Sequence, residues 1–259
     1  MNNLNLKNIT EQLIDTFLEA GKIAGEISQR GVKVTIKSDK SPVTDADLAV
    51  DKILTLKIKN LTPNIPVISE ETVNLNTKNK DRTFWLVDPI DGTKEYINNK
   101  DEFTLNASLI IDLEPAIGVI YAPAKKKLFY SYGYGYSFEK FEQKKIKLEC
   151  VKKTKPGEVY AVSSSSEPSG EVLKIHKKFN VKKFIEMRSS YKFCVIATGE
   201  FDLYAAKARA YEWDIAAGHA IVKHAGGIVT TLDEKEFKYG KMDYKNLALL
   251  VKRSENLER

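Results

Sequence analysis

The chain has 259 residues, 42% of them apolar and 29% charged, proportions that allow a full globular core and exclude a disordered chain. Its formal charge of +6, from 41 Lys and Arg against 35 Asp and Glu, suits anionic partners, from phosphorylated metabolites to nucleic acid, without choosing among them. Cys150 and Cys194 lack paired spacing, which excludes a disulfide framework or a zinc site, and no run approaches the roughly 18 apolar residues of a membrane span.

In chain order, Thr10 precedes Leu13, Ile14, Phe17, Leu18, Gly21, Ala24 and Ile27, whose spacing predicts an amphipathic helix. A second helix is expected after Pro42 and Val43, with Thr44 as N-cap and Asp47 three residues on. It should carry Leu48, Val50, Ile53, Leu54 and Ile58 inward and end at Pro63 and Pro66. Short β-branched and aromatic runs at 83–87, 103–111, 116–121 and 128–132 predict a meandering sheet. Tyr132, Gly133, Tyr134, Gly135 and Tyr136 read as a hairpin turn with exposed tyrosines rather than a nucleic-acid platform.

Beyond residue 157 the pattern alternates. Strands are expected at 159–162, 183–186, 201–204, 228–230 and 247–251, and helices at 170–178, 190–198 and 215–225. The lysine-rich stretch 142–157, ending in Pro156 and Gly157, predicts a boundary. It divides an N-terminal α+β layer over 1–150 from a C-terminal α/β layer over 151–259 that supplies Asp214.

The chemistry centres on the segment from Phe84 to Glu95, where an apolar strand runs into Asp88, Pro89, Ile90, Asp91, Gly92 and Thr93. Pro89 holds the backbone extended or turned, so Asp88 and Asp91 can converge on one divalent cation, with the Ile90 carbonyl as a further oxygen ligand. Gly92 and Thr93 would let an anion approach the backbone. A plain turn is the competing reading, because Asp, Pro and Gly are all turn formers.

Glu70 and Glu71 close another short apolar strand and should point to opposite sides, Glu70 toward the site. Asp214 reads as the N-cap of a helix, or as a ligand if that helix starts beside Asp88 and Asp91. Asp47 reads as the acid of a capping box, or as a base polarising a water through the Thr93 hydroxyl. The histidines 176, 219 and 224 have no metal-ligand spacing.

Together these segments resemble the inositol monophosphatase superfamily of lithium-sensitive, magnesium-dependent phosphatases. The matching order is Glu70-Glu71, then Asp88-Pro89-Ile90-Asp91-Gly92-Thr93, then Trp213-Asp214-Ile215-Ala216-Ala217-Gly218. Within it, Lys94-Glu95 after Gly-Thr and the stretch Ser189-Ser190-Tyr191-Lys192 resemble the bacterial bisphosphate nucleotidases.

The resemblance implies a layered αβαβα sandwich, at the α+β and α/β border, and two or three Mg2+ ions held by Glu70, Asp88, the Ile90 carbonyl, Asp91 and Asp214. It implies that Asp47 and Thr93 activate water and that Gly92 and Thr93 hold the scissile phosphate. Ser189, Ser190 and Lys192 would face the nucleotide, with Glu70, Ile90, Asp91 and Asp214 also lining the substrate site.

The implied substrate is a small phosphorylated nucleotide, adenosine 3',5'-bisphosphate or 3'-phosphoadenosine 5'-phosphosulfate, losing its 3'-phosphate. Inositol or fructose phosphates are the alternative substrates, and a basic nucleic-acid-binding protein is the non-enzymatic one, with no nucleic acid expected as partner. A cytoplasmic location is expected, with association at the inner membrane face and a homodimer left open. One departure concerns substrate: Ala206 stands where the family usually carries a basic residue, with Lys207 and Arg209 just beyond.

Overall fold

The computed structural model describes residues 4–37, 40–75, 81–151, 158–255 and 257. Helix α1 (Leu6–Arg30) starts a turn earlier than its apolar spacing suggests. Asn5 caps it there, its side chain accepting the Asn8 N–H at 3.0 Å. Strands β1 (Val34–Ile36) and β2 (Pro42–Thr44) form an antiparallel pair that leads into α2 (Asp45–Leu61).

The capping box at α2 is formed as its sequence predicts. The Thr44 hydroxyl accepts the Asp47 N–H at 3.2 Å, and Asp47 Oδ2 accepts the Thr44 N–H at 2.8 Å. Leu48, expected inward, is instead exposed. At 100° per residue it lies about 120° round the helix from the centre of the buried stripe formed by Val50, Leu54 and Ile58.

The larger sheet contains β3 (Val67–Ser69), β4 (Phe84–Asp91), β5 (Thr104–Ile111), β6 (Glu114–Ala122), β7 (Lys127–Ser131), β8 (Ser137–Phe141) and β9 (Lys144–Lys147) in sequential order. Among the described residues of this sheet, only β3 and β4 pair in parallel. A short helix, α3 (Thr93–Ile97), interrupts the meander after β4. The turn expected at 132–136 joins β7 to β8, with Tyr134 and Tyr136 exposed.

β9 lies inside the charged stretch read as a boundary. All four of its residues are exposed and three are lysines, a composition that blunts a sheet edge and hides the strand signal. Pro156 and Gly157 lie outside the described residues.

The smaller sheet has the order β11 (Val181–Glu186), β10 (Val159–Ser163), β12 (Leu203–Ala206), β14 (Leu249–Lys252), β13 (Ile228–Thr231). Its helices are α4 (Gly170–Lys178), α5 (Tyr191–Ala197) and α6 (Glu212–His224).

Strand alternation sorts the layers. Trp85 and Val87 of β4 pack with α1 and α2, whereas Phe84 and Leu86 pack with α5 and α6. The far side of α5 and α6 meets Val162, Tyr204, Leu249 and Val251, and the outer face of that sheet meets Val172 of α4. The result is the αβαβα sandwich.

Two glycines allow the central layer to close. A Cβ on Gly118 would lie 2.3 Å from the Ala217 carbonyl oxygen, and one on Gly218 would lie 2.2 Å from the Phe193 ring. Both cysteines are buried free thiols. His219 Nδ1 lies 3.0 Å from the Tyr239 hydroxyl and His224 Nδ1 lies 2.9 Å from that of Ser131, so both are satisfied core residues.

Candidate metal and phosphate site

β4 carries its two aspartates through an irregularity in pairing. Asp88 pairs with Asn106 and Asp91 with Thr104, so three steps on β4 match two on β5. Residues three apart on a regular strand face opposite sides; the extra residue, beside a proline with no N–H to offer, breaks that alternation and leaves the Asp91 charge close enough to raise Asp88. Glu70 arrives from the end of β3, its N–H donating to the Val87 carbonyl at 3.1 Å.

Asp214 is not the N-cap of α6. The cap is Tyr211, and Asp214 stands at the third helical position with Oδ2 accepting the Tyr211 N–H at 2.8 Å. The reason is that the helix opens with Glu212 and Trp213, so the acid closes the box from inside. From there one carboxylate oxygen each of Glu70, Asp88 and Asp214 lies within 4.8 Å of the other two. Asp91 is not one of these three; the Ser190 hydroxyl, with one proton to give, lies 2.6 Å from Asp91 Oδ2 and 2.8 Å from the Asp214 carbonyl and so sits between Asp91 and the start of α6.

Burial raises the Asp88 carboxyl well above the usual range, and the neighbouring charges of Glu70, Asp91, Asp214 and Asp47 raise it further. Asp214 is raised well above the usual range first by burial and then by Asp91 and Glu70. Glu70 is pushed up to about 7, burial outweighing the opposing charge of Lys37. One oxygen of buried Asp88, Oδ1, has no hydrogen-bond partner among the described residues. Hard anionic oxygens that repel one another and include an orphaned one fit a divalent cation such as magnesium.

The neighbouring groups fall into place unevenly. Glu71 is outside the three-carboxylate group and pairs with Lys37 at 2.8 Å, but strand alternation is not the cause: β3 ends at Ser69 and both glutamates lie in the turn beyond it, within reach of the same ammonium. Lys37 also lies 3.5 Å from Glu70; nothing in its sequence surroundings singles it out. Asp47 is buried, and its carboxyl is raised by burial against the opposing Thr44 bonds. The Asp47 and Thr93 side chains are not bonded to each other: Asp47 Oδ2 is held by Thr44, and the Thr93 hydroxyl donates to the Ile90 carbonyl at 3.1 Å. Gly92 has φ +91°, and a Cβ there would lie 2.8 Å from the Glu102 carbonyl oxygen, so glycine is required.

Ser189 and Ser190 are buried at the start of α5, and the buried Lys192 amine bonds the Ser189 carbonyl. Burial lowers that amine to about 8. A cavity of about 180 Å3 is lined by Asp91, Ser190, Lys192, Tyr204, Asp214 and the stretch around Lys207 and Arg209. A second, of about 260 Å3, lies against Ser163, Ser164 and Ser165 and shares Ala206, Lys207 and Arg209 with the first.

The sequence model of the inositol monophosphatase family matches residues 5–258. The 3'(2'),5'-bisphosphate nucleotidase CysQ of Buchnera aphidicola (subsp. Acyrthosiphon pisum) is 37% identical over 234 residues, covering 87% of each chain. The crystal structure of CysQ from Bacteroides thetaiotaomicron superposes with a TM-score of 0.77 at 29% identity, covering 96% of this chain and 98% of that one. An IMPase/NADP phosphatase crystallised with Mg2+ and phosphate shares the fold at TM-score 0.75 and 19% identity, over 96% of this chain and 91% of that one.

Proposed function

This chain belongs to the inositol monophosphatase family, and on that premise we propose that it is a 3'(2'),5'-bisphosphate nucleotidase. It removes the 3'-phosphate of adenosine 3',5'-bisphosphate to give AMP, or that of 3'-phosphoadenosine 5'-phosphosulfate to give adenosine 5'-phosphosulfate. The convergence of Glu70, Asp88 and Asp214 within 4.8 Å carries the chemistry, and the likeness to the Buchnera nucleotidase supports the substrate.

Magnesium would be held by Glu70, Asp88, Asp91, Asp214 and the Ile90 carbonyl, with room in that donor set for more than one ion. When bound, it supplies Lewis acidity toward the phosphoryl group and a water acidic enough to attack near neutral pH. The chain's own residues orient and exchange protons. Gly92 and Thr93 present backbone to the scissile phosphate, and no side chain at Gly92 blocks the approach.

Asp47 and Thr93 are the pair assigned to the proton of the attacking water. Each has another partner in this structure, so the pairing requires the Thr93 hydroxyl to leave the Ile90 carbonyl. Ser190 and Lys192 border the nucleotide end, and Lys207 and Arg209 supply there the positive charge that Ala206 lacks. A reducing, cytoplasmic setting suits the two free thiols, and no described helix is long and apolar enough to cross a membrane.

The test is a side-by-side assay of phosphate release from adenosine 3',5'-bisphosphate and inositol 1-phosphate under magnesium. This reading expects kcat/KM for the nucleotide to exceed that for inositol phosphate at least a hundredfold; the reverse preference would overturn it.

A further inference from the structure

We infer that a hollow between α1 and the segments that follow α3 and β6, lined by none of the clustered carboxylates, is a binding site for a small flat organic anion. Such a ligand is an aromatic ring bearing a phosphate, sulfate, sulfonate or carboxylate. The hollow has a volume of about 600 Å3, within the range of small-molecule sites and larger than either cavity beside the carboxylates. None of its lining residues belongs to the proposed metal or substrate set.

Its floor is aromatic. Phe103 and Tyr96 meet edge to face at 4.9 Å, and Tyr121 lies beside them. All three are at most 9% exposed, so a ring entering this space packs on the small part of them left uncovered at the bottom of the hollow.

Its wall is opened by a glycine. Gly25 sits inside α1, where glycine costs about 1 kcal/mol relative to alanine, yet a Cβ there would meet nothing within 4 Å. Gly21, one turn earlier, differs: its Cβ would lie 2.2 Å from the Tyr121 ring, so packing explains it. At Gly25 the missing side chain leaves space in the hollow instead of relieving a clash.

Its rim is basic. Lys22, Lys100, Lys126 and Lys140 surround the opening against the carboxylates of Asp101 and Glu142 and that of Glu26, 3.7 Å from Lys22. An apolar floor under an excess of ammonium groups selects an anion with a flat apolar body. The Tyr96 hydroxyl donates to the Ala24 carbonyl at 2.7 Å, next to Gly25, so the floor is tied to the wall.

The test uses full-length protein titrated with 8-anilinonaphthalene-1-sulfonate, an aromatic sulfonate that a phosphatase cannot hydrolyse, followed by fluorescence and calorimetry. Saturable binding of one probe per chain is expected. It should weaken at least tenfold in the double variant Lys22→Glu/Lys126→Glu, disappear in Gly25→Trp, and persist in Asp91→Asn. Both lysines are exposed, so the double variant decides the matter even if Gly25→Trp fails to fold. Absence of saturable binding, or undiminished binding in the lysine variant, would overturn the inference. So would a change from dimer to monomer in that variant by sedimentation, because the hollow would then be an interface between copies.

Discussion

Lys241 Nζ lies 2.7 Å from Glu212 Oε1, and the same buried carboxylate accepts the backbone N–H groups of Gly240 at 2.9 Å and Lys241 at 3.0 Å. Glu212 is the first residue of α6, two positions before Asp214. The loop before β14 is thereby fastened to the helix end that delivers a proposed ligand. Glu212→Gln leaves one of these N–H groups facing an amide NH2 and removes the ion pair. We expect a loss of about 3 kcal/mol, as for other broken buried pairs, read from urea unfolding midpoints. Lys241→Met should cost less, because the two N–H donors remain.

The Glu70 carboxyl gives the metal-free protein a pH dependence of definite sign. Its folded value of about 7 lies above the ordinary 4.5, so the folded state holds the proton more tightly than the unfolded chain. Stability from this group is present below pH 4.5 and is lost as pH rises toward 7. The loss is on the order of 2 kcal/mol once partial exposure is allowed for. Magnesium favours the ionised form and should reverse it. By pH 5.5 part of that stability has already gone, so the rise in Tm on adding magnesium should be about 2–5 °C larger at pH 8 than at pH 5.5. Glu70→Gln should make the metal-free pH profile of Tm shallower, with the remaining slope coming from Asp88, Asp214 and Asp47, whose carboxyls are raised in the same direction.

The Ser190 hydroxyl lies between Asp91 Oδ2 and the Asp214 carbonyl and shares its one proton between these two acceptors. Its removal leaves the carboxylates in place but less well oriented. Ser190→Ala should raise the magnesium concentration for half-maximal activity about tenfold, as loss of an outer partner to a metal ligand does elsewhere. At saturating magnesium kcat should recover to within a few-fold of the parent.

Charge reversal at Lys207 or Arg209 tests the assignment of the nucleotide end. Each contact to a phosphate is worth roughly 1.5–3 kcal/mol. KM for adenosine 3',5'-bisphosphate should therefore rise about tenfold or more in Arg209→Glu, with the magnesium requirement unchanged. An unaltered KM in both single variants would place the second phosphate elsewhere.

Much of the fold is legible where local chemistry and burial agree. The α2 capping box is spelled by Thr44 and Asp47, and β4 to β7 by apolar runs between turn residues. The edge strand β9 escapes such reading because exposure favours lysine over β-branched residues. Leu48 misleads because an exposed leucine carries the same letter as a buried one.

At the site, Glu70, Asp88 and Asp91 stand out because each ends an apolar strand. Asp214 is recognisable as an acid at a helix start, although its position within that start depends on where Tyr211 leaves extended geometry. Lys37 and the clasp through Ser190 depend on chain segments separated by 33 and 99 positions from their partners. No local pattern encodes such pairings.

The most direct measurement is calorimetric titration of magnesium into the metal-free protein at pH 7.5, compared with Asp214→Asn. If Glu70, Asp88 and Asp214 share one cation, saturable binding is present in the parent and weakened at least tenfold in the variant, whose thermal unfolding remains cooperative. Equal magnesium affinity in the two proteins would contradict a common site.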